Sequence, residues 1–209
     1  MRTADAWDEP RVARAGGQRL AELLEPLRRG DRRLARRMTG WDSAWARRLL
    51  PPVERAAEHT KVWWAAALTM AAGGGRRGRK AAAAGVTAMA VAELLSNGVA
   101  KQLVQRRRPP AEWIPHGDDE DRPDSSSFPS GHTAAAVAFT AATAPSWPWA
   151  GAVCAVPMAL VAIERVHSGA HYPSDVAAGA AVGLTAAALV RAVPPPRRLP
   201  PGMASRCRG

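Results

Sequence analysis

This sequence predicts an all-α membrane protein, a bundle of about five helices, and three observations carry that prediction. First, apolar residues make up 47% of the chain, yet mean hydropathy is −0.20, because they sit in blocks with the 29 Lys and Arg between them. Second, the blocks approach the ~20 apolar residues that a membrane-crossing helix needs, and basic or Pro/Gly-rich stretches separate them. Third, the blocks are rich in Ala and Gly, which let helix backbones approach closely.

The elements follow in order. Residues 1–58 are polar, with 13 arginines and nine acids. Leu20, Leu23, Leu24, Leu27 and Leu34 recur at roughly helical spacing, so this arm reads as short amphipathic helices on a membrane surface or as a partly disordered basic segment. It holds no apolar core of the length a cleavable leader needs.

The first membrane helix is expected over His59–Gly75, with Trp63 and Trp64 at the interface. A basic loop, "RRGRK" (76–80), closes it. The second is expected over Ala81–Ala100. Its Glu93 and Asn97 are four residues apart, hence on one face, pointing towards Lys101. Residues 101–130 form a polar loop with "DDEDRPD" (118–124) in its middle, a solvated cover whose spacing does not fit a calcium loop. Helices three to five are expected over Gly131–Ala144, Trp149–Ile163 and Ser174–Val193, with Ser174 as N-cap of the last. The Pro/Arg tail, 194–209, cannot form regular structure. The domain reading is therefore an arm (1–58), a membrane unit (59–193) and a tail.

The formal charge of +11 raises nucleic acid as a partner, but the arginines flank apolar runs and no nucleic-acid motif is present. Anionic lipid is the expected acidic partner. Cys154 lies in an apolar run and Cys207 in the tail, a packing residue and an exposed thiol rather than a disulfide. His59 and His116 read as surface residues. There is no Cys/His metal pattern, and no metal or cofactor is expected.

Consecutive helices alternate direction, so the end of the second, the start of the third, the end of the fourth and the start of the fifth share one side. The chemically rich segments fall at those points: "KQLVQRRRP" (101–109), "FPSGHT" (128–133) and "ERVHSGAHYPSD" (164–175). Together they pool cations, a helix N-terminus and two histidines with a carboxylate. Arginine forks and helix N-termini suit phosphate, and histidine with a carboxylate suits nucleophilic and acid–base work.

The three segments resemble the signature of the type 2 phosphatidic acid phosphatase family, K-x6-R-P, P-S-G-H and S-R-x5-H-x3-D. Lys101, Arg108 and Pro109 match the first element, Pro129 to His132 the second, and Arg165, His171 and Asp175 the third. Glu164 stands where the family has Ser. The resemblance implies hydrolysis of a lipid phosphate monoester or diphosphate at the membrane without a metal. It implies His171 as nucleophile, Asp175 as its orienting acid and His132 as leaving-group acid. It implies Lys101, Arg108, Ser130, Gly131 and Arg165 as phosphate holders. His167 has no place in the motif. Arg106 and Arg107 lie outside its register and are expected to anchor the second helix at the interface. Glu164 is expected to point away from Arg165, towards Arg106 or Arg107, because adjacent helix residues face different directions.

Two other functions compete: a vanadate-dependent haloperoxidase, disfavoured by the membrane helices and small size, and a non-catalytic lipid-binding scaffold, which loss of a catalytic residue would favour. The positive-inside rule puts "RRGRK" and the tail in the cytoplasm of a plasma-membrane protein and the site outside, against the arginines of the arm.

Overall fold

A computed structural model describes residues 16–114 and 125–193. Within them the chain is helical, with no strand: α1 (Gly16–Thr39), α2 (Ala44–Ala57), α3 (Lys61–Gly73), α4 (Gly75–Glu93), α5 (Lys101–Leu103), α6 (Gly131–Thr143), α7 (Pro148–His167) and α8 (Pro173–Ala192). A π-helical stretch, Leu94–Ala100, joins α4 to α5. The acidic run 118–124, His116 and the tail with Cys207 lie outside the described residues.

Among the described residues three helices are long and apolar enough to cross a membrane: Gly75–Leu103, α7 and α8. The other two of the expected five, α3 and α6, have 13 residues each, about 20 Å at 1.5 Å per residue. Helix α6 is the central post. Ten of its residues are buried, so it needs no lipid-facing length. Against it Trp63, Met70, Met89 and Phe139 form one core cluster, with Trp63 and Phe139 rings 5.5 Å apart. A second cluster is all alanine, including Ala88, Ala134, Ala138, Ala186 and Ala187 from α4, α6 and α8.

Small residues bring α8 onto α6. A methyl on Gly179 would collide with the Ser130 carbonyl oxygen, and one on Gly183 would meet the Ala134 carbonyl. That close approach lets the Ser130 N–H donate to the Asp175 carbonyl at 3.0 Å, so the starts of α6 and α8 are joined directly.

Four expectations need correction. Trp63 is not interfacial: it is 1% exposed and fills the core, while Trp64 stays on the surface. "RRGRK" is not a loop but the first turns of α4, because the chain reverses at Gly74–Gly75, where Gly75 takes φ +54. Tyr172 and not Ser174 caps α8; Pro173 then takes N1, where its missing N–H costs nothing. The described part of the arm is two helices packed on the bundle, α1 against α7 and α8 and α2 against α7.

Between α2 and α3 the chain turns through His59 (φ 50) and Thr60 (φ 57), two successive left-handed residues of which neither is glycine. For a β-branched threonine that conformation is strained.

Candidate active site

The site is assembled from four chain ends at one end of the bundle. The α4–α5 limb arrives through the π-helical stretch, where the Lys101 N–H donates to the Ser96 carbonyl, five residues back. Glu93, Asn97 and Lys101 all line the cavity described below, as their spacing predicts. After Leu103 the chain becomes extended at Val104 (φ −122, ψ 112), and Pro109 disfavours a return to helix. Three serines lace this segment down. Ser126 Oγ donates to the Val104 carbonyl (2.8 Å) and accepts from the Arg106 N–H (3.1 Å). The Ser127 N–H donates to the Arg106 carbonyl (2.9 Å), and Ser125 Oγ lies 3.4 Å from Arg108 Nη2.

The start of α6 is capped by Ser130, whose buried hydroxyl accepts from the Thr133 N–H at 3.4 Å. Ser130 was expected to face phosphate; it is spent instead on the helix. Because it takes Thr133, the N–H groups of Gly131 and His132 are first-turn donors without an intrahelical acceptor. Both residues line the cavity.

His171 follows α7 and is buried. Its Nδ1 lies 2.6 Å from the Ser127 carbonyl oxygen. A carbonyl can only accept, so Nδ1 carries the proton and Nε2 keeps its lone pair. Burial, then the nearby charge of Arg108, pushes the imidazole pKa down to about 3. The ring is therefore neutral, and Asp175 Oδ2, 3.9 Å from Nδ1, makes no ion pair with it in this state. The Nδ1–H, expected to donate to Asp175, donates instead to the Ser127 carbonyl.

Asp175 is fully buried and committed elsewhere. It accepts from the Tyr172 N–H at 2.9 Å and pairs with Arg106 Nη1 at 2.5 Å. Arg106 is thus no interfacial anchor. Its Nη2 also pairs with Asp31 of α1 at 2.7 Å, and its guanidinium lies 4.2 Å from the centre of the Tyr172 ring. Burial works against its charge, but Asp31 and Asp175 outweigh that and hold its pKa above the usual arginine value. Asp31 further accepts from the Ser174 N–H (2.9 Å) and hydroxyl (2.6 Å).

Arg165 sits in the last turns of α7, 8% exposed. Its Nε pairs with Glu164, contrary to the expectation that this carboxylate points away. Glu164 is 2% exposed, and a carboxylate so buried requires a cation; the flexible arginine folds back to supply it. Arg165 Nη2 also pairs with Glu54 of α2 at 2.8 Å.

A cavity of about 1220 Å³ joins these parts. Lys101, Arg108, Gly131, His132, Arg165 and His171 line it, together with Trp41, Arg47 and Glu54 of the arm and His59 just after it. Ser130 and Asp175 stand behind the lining. Arg108 Nη1 is held by the Ala170 carbonyl at 2.7 Å. Lys101, Arg108 and Arg165, with His132, His171 and the start of α6 on the same cavity, can hold a dianion and offer it a neutral nitrogen lone pair.

The PAP2 superfamily model matches residues 81–199, more than half of the chain, and those residues include all three polar segments. The chain belongs to the PAP2 superfamily. Two curated relatives from Mycobacterium tuberculosis, strains CDC 1551 / Oshkosh and ATCC 25618 / H37Rv, are named decaprenylphosphoryl-5-phosphoribose phosphatase. Each is 42% identical over 110 residues, 51% of this chain and 55% of theirs, so the chain spans about half the length of the curated relatives it matches. Two solved structures share the fold. The PAP2-type phosphatidylglycerolphosphate phosphatase from Bacillus subtilis has TM-score 0.61 and 19% identity, covering 82% of this chain and 89% of that one. LpxE from Aquifex aeolicus has TM-score 0.59 and 21% identity, covering 77% and 94%. With them, the three apolar helices identify a helical membrane PAP2 protein.

Four participants escape the PAP2 motif: Arg106, Ser127, Asp31 and Glu54. A signal existed for Arg106. In an extended segment residues i and i+2 share a side, so Arg106 accompanies Arg108 once Pro109 is taken to exclude helix. Ser127 acts through its carbonyl, and the two arm acids act through tertiary packing, so neither leaves a local signature.

Proposed function

We propose that this protein is a membrane lipid phosphatase that removes a terminal phosphate from an amphiphile by transfer to His171. The observation that supports this best is the neutral His171, its Nδ1–H held by Ser127, on the same cavity as Lys101, Arg108, Arg165 and His132. In the first step Nε2 attacks phosphorus and the bond from phosphorus to the ester oxygen breaks. In the empty site burial, then the charge of Arg165, pushes the His132 pKa down to about 4; the bound phosphate dianion offsets those cations, so His132 takes up a proton with the substrate and gives it to the leaving oxygen. The phosphorylated imidazole is now cationic, and Asp175 at 3.9 Å balances it. In the second step His132 takes a proton from water, whose oxygen attacks phosphorus; the N–P bond breaks, releasing phosphate and restoring the lone pair. Lys101, Arg108, Arg165 and the amides of Gly131 and His132 hold the phosphoryl oxygens, so the chain's own cations supply the charge stabilisation. Ser130 contributes as the cap that leaves those amides available.

The substrate class comprises polyprenyl phosphates or diphosphates, phosphatidic acid and phosphatidylglycerol phosphate. The names of the Mycobacterium relatives favour a polyprenyl-linked phosphosugar. Residues 59–193 form the phosphatase unit. The basic start of α4, with Arg76, Arg77, Arg79 and Lys80 on the opposite end of the bundle, supports a site facing outward.

The test is phosphate release by the purified protein in detergent from a panel of these lipids. Release by the wild type, lowered at least about a thousandfold in His171→Ala, is expected. No release from any lipid, or release unchanged by the substitution, would refute the reading and leave the scaffold alternative.

A further inference from the structure

Arg165 is a phosphate holder in the proposed reaction, yet among the described residues the hydrogen-bond partners of its guanidinium are both carboxylates. Glu164 takes Nε and Glu54 takes Nη2 at 2.8 Å. The two acids differ in kind. Glu164 precedes Arg165 on α7 and is 2% exposed, so it cannot leave. Glu54 comes from the arm, its side chain is 46% exposed, and it lines the same cavity as Lys101 and His132. A carboxylate on an arginine Nη occupies the seat that a phosphoryl oxygen takes in a charge-assisted hydrogen bond. The two cannot share that nitrogen without placing like charges in contact.

We infer that Glu54 is a substrate-displaced occupant of the phosphate site: the arm places its carboxylate on Arg165 when the site is empty, and the lipid phosphate must expel it to bind. Glu54 therefore sets the affinity for phosphate without entering the chemistry.

A second observation gives the carboxylate somewhere to go. Helix α2 ends three residues after Glu54, and the chain then passes through His59 and Thr60, both left-handed and both lining the cavity. A strained pair at the foot of α2 is a point where small backbone rotations move Glu54 away from Arg165. Helix α1, in contrast, is fixed by Asp31 to Arg106 and Ser174, so the arm stays attached while α2 moves. The inference rests on the reading of Arg165 as a phosphate holder.

The experiment compares the full-length wild type with Glu54→Gln and Glu54→Ser in detergent, using orthovanadate as inhibitor and inorganic phosphate as ligand. In both variants the half-inhibitory vanadate concentration and the KM are expected to fall about 1.5- to fivefold, the range one partly exposed ion pair is worth. The kcat stays within about twofold. Unchanged vanadate inhibition and KM would overturn the inference. So would a loss of kcat at constant KM, which would make Glu54 a positioning residue for Arg165. If the wild type hydrolyses no lipid phosphate, the proposed function fails, and thermal unfolding with added phosphate decides this point separately. Greater stabilisation of the variants than of the wild type supports displacement, and equal stabilisation rejects it.

Discussion

Two arginines join the arm to the bundle, and each bridges one acid of the arm and one buried acid of the bundle. Arg106 lies between Asp31 and Asp175. Arg165 lies between Glu54 and Glu164. The difference is in the arm's acid. Asp31 is 10% exposed and also holds the backbone and hydroxyl of Ser174. Glu54 is 46% exposed and has Arg165 as its one recorded hydrogen-bond partner among the described residues. The same charge pattern thus makes a fixed joint at the start of α8 and an exchangeable one at the end of α7. Burial and the number of hydrogen bonds decide which is which, because water competes only for the exposed acid.

The comparison can be broken most severely at the fixed joint. Arg106→Ala leaves Asp175 and Asp31 facing one another without a cation. Removing one partner of a buried pair costs about 3–5 kcal/mol, so a large fall in Tm and loss of phosphate release are expected together. A variant as stable and active as the wild type would show that the Tyr172 N–H suffices to hold Asp175, and Ser174 to hold Asp31. Glu164→Ser restores the PAP2 motif residue and tests the exchangeable joint from its buried side. Arg165 keeps Glu54, so the loss is smaller, about 1–3 kcal/mol by thermal unfolding, and KM falls because one competitor for the guanidinium is gone. A rise in KM would mean that Glu164 holds Arg165 in its phosphate-binding pose. The smallest effect belongs to His167→Ala. His167 Nε2 meets the Trp41 carbonyl at 2.9 Å where both residues line the cavity, a contact between arm and bundle outside both joints. A change below about 1 kcal/mol, with turnover within about twofold, is expected; a larger loss would make it a third joint.

Much of this was legible in the sequence. Blocks of apolar residues gave the helices, because burial in lipid demands length and composition together. Alternation of direction gave the shared side of Lys101, His132, Arg165 and His171, and the cavity has all four. What stayed hidden has a common cause. Glu164, Arg106 and Trp63 were assigned from their own element, where adjacent positions diverge and aromatics favour the interface. Their actual partners are tertiary: a buried carboxylate seeks the nearest cation, Arg106 is turned inward by an extended chain, and Trp63 is taken up by Phe139. Asp31 and Glu54 sit in the basic segment least like a catalytic domain, and spacing rules cannot reach 75 or 111 residues along the chain to Arg106 and Arg165.

The missing side chain of Gly179 has a consequence for tolerance to change. The limb that carries His171 and Asp175 and the limb that carries His132 touch through bare backbone at this point. Their separation is therefore gauged by a hydrogen atom. One methyl there would spread the two halves of the reaction apart while every charged residue stayed in place, so the chemistry depends on a position that no inventory of reactive groups includes.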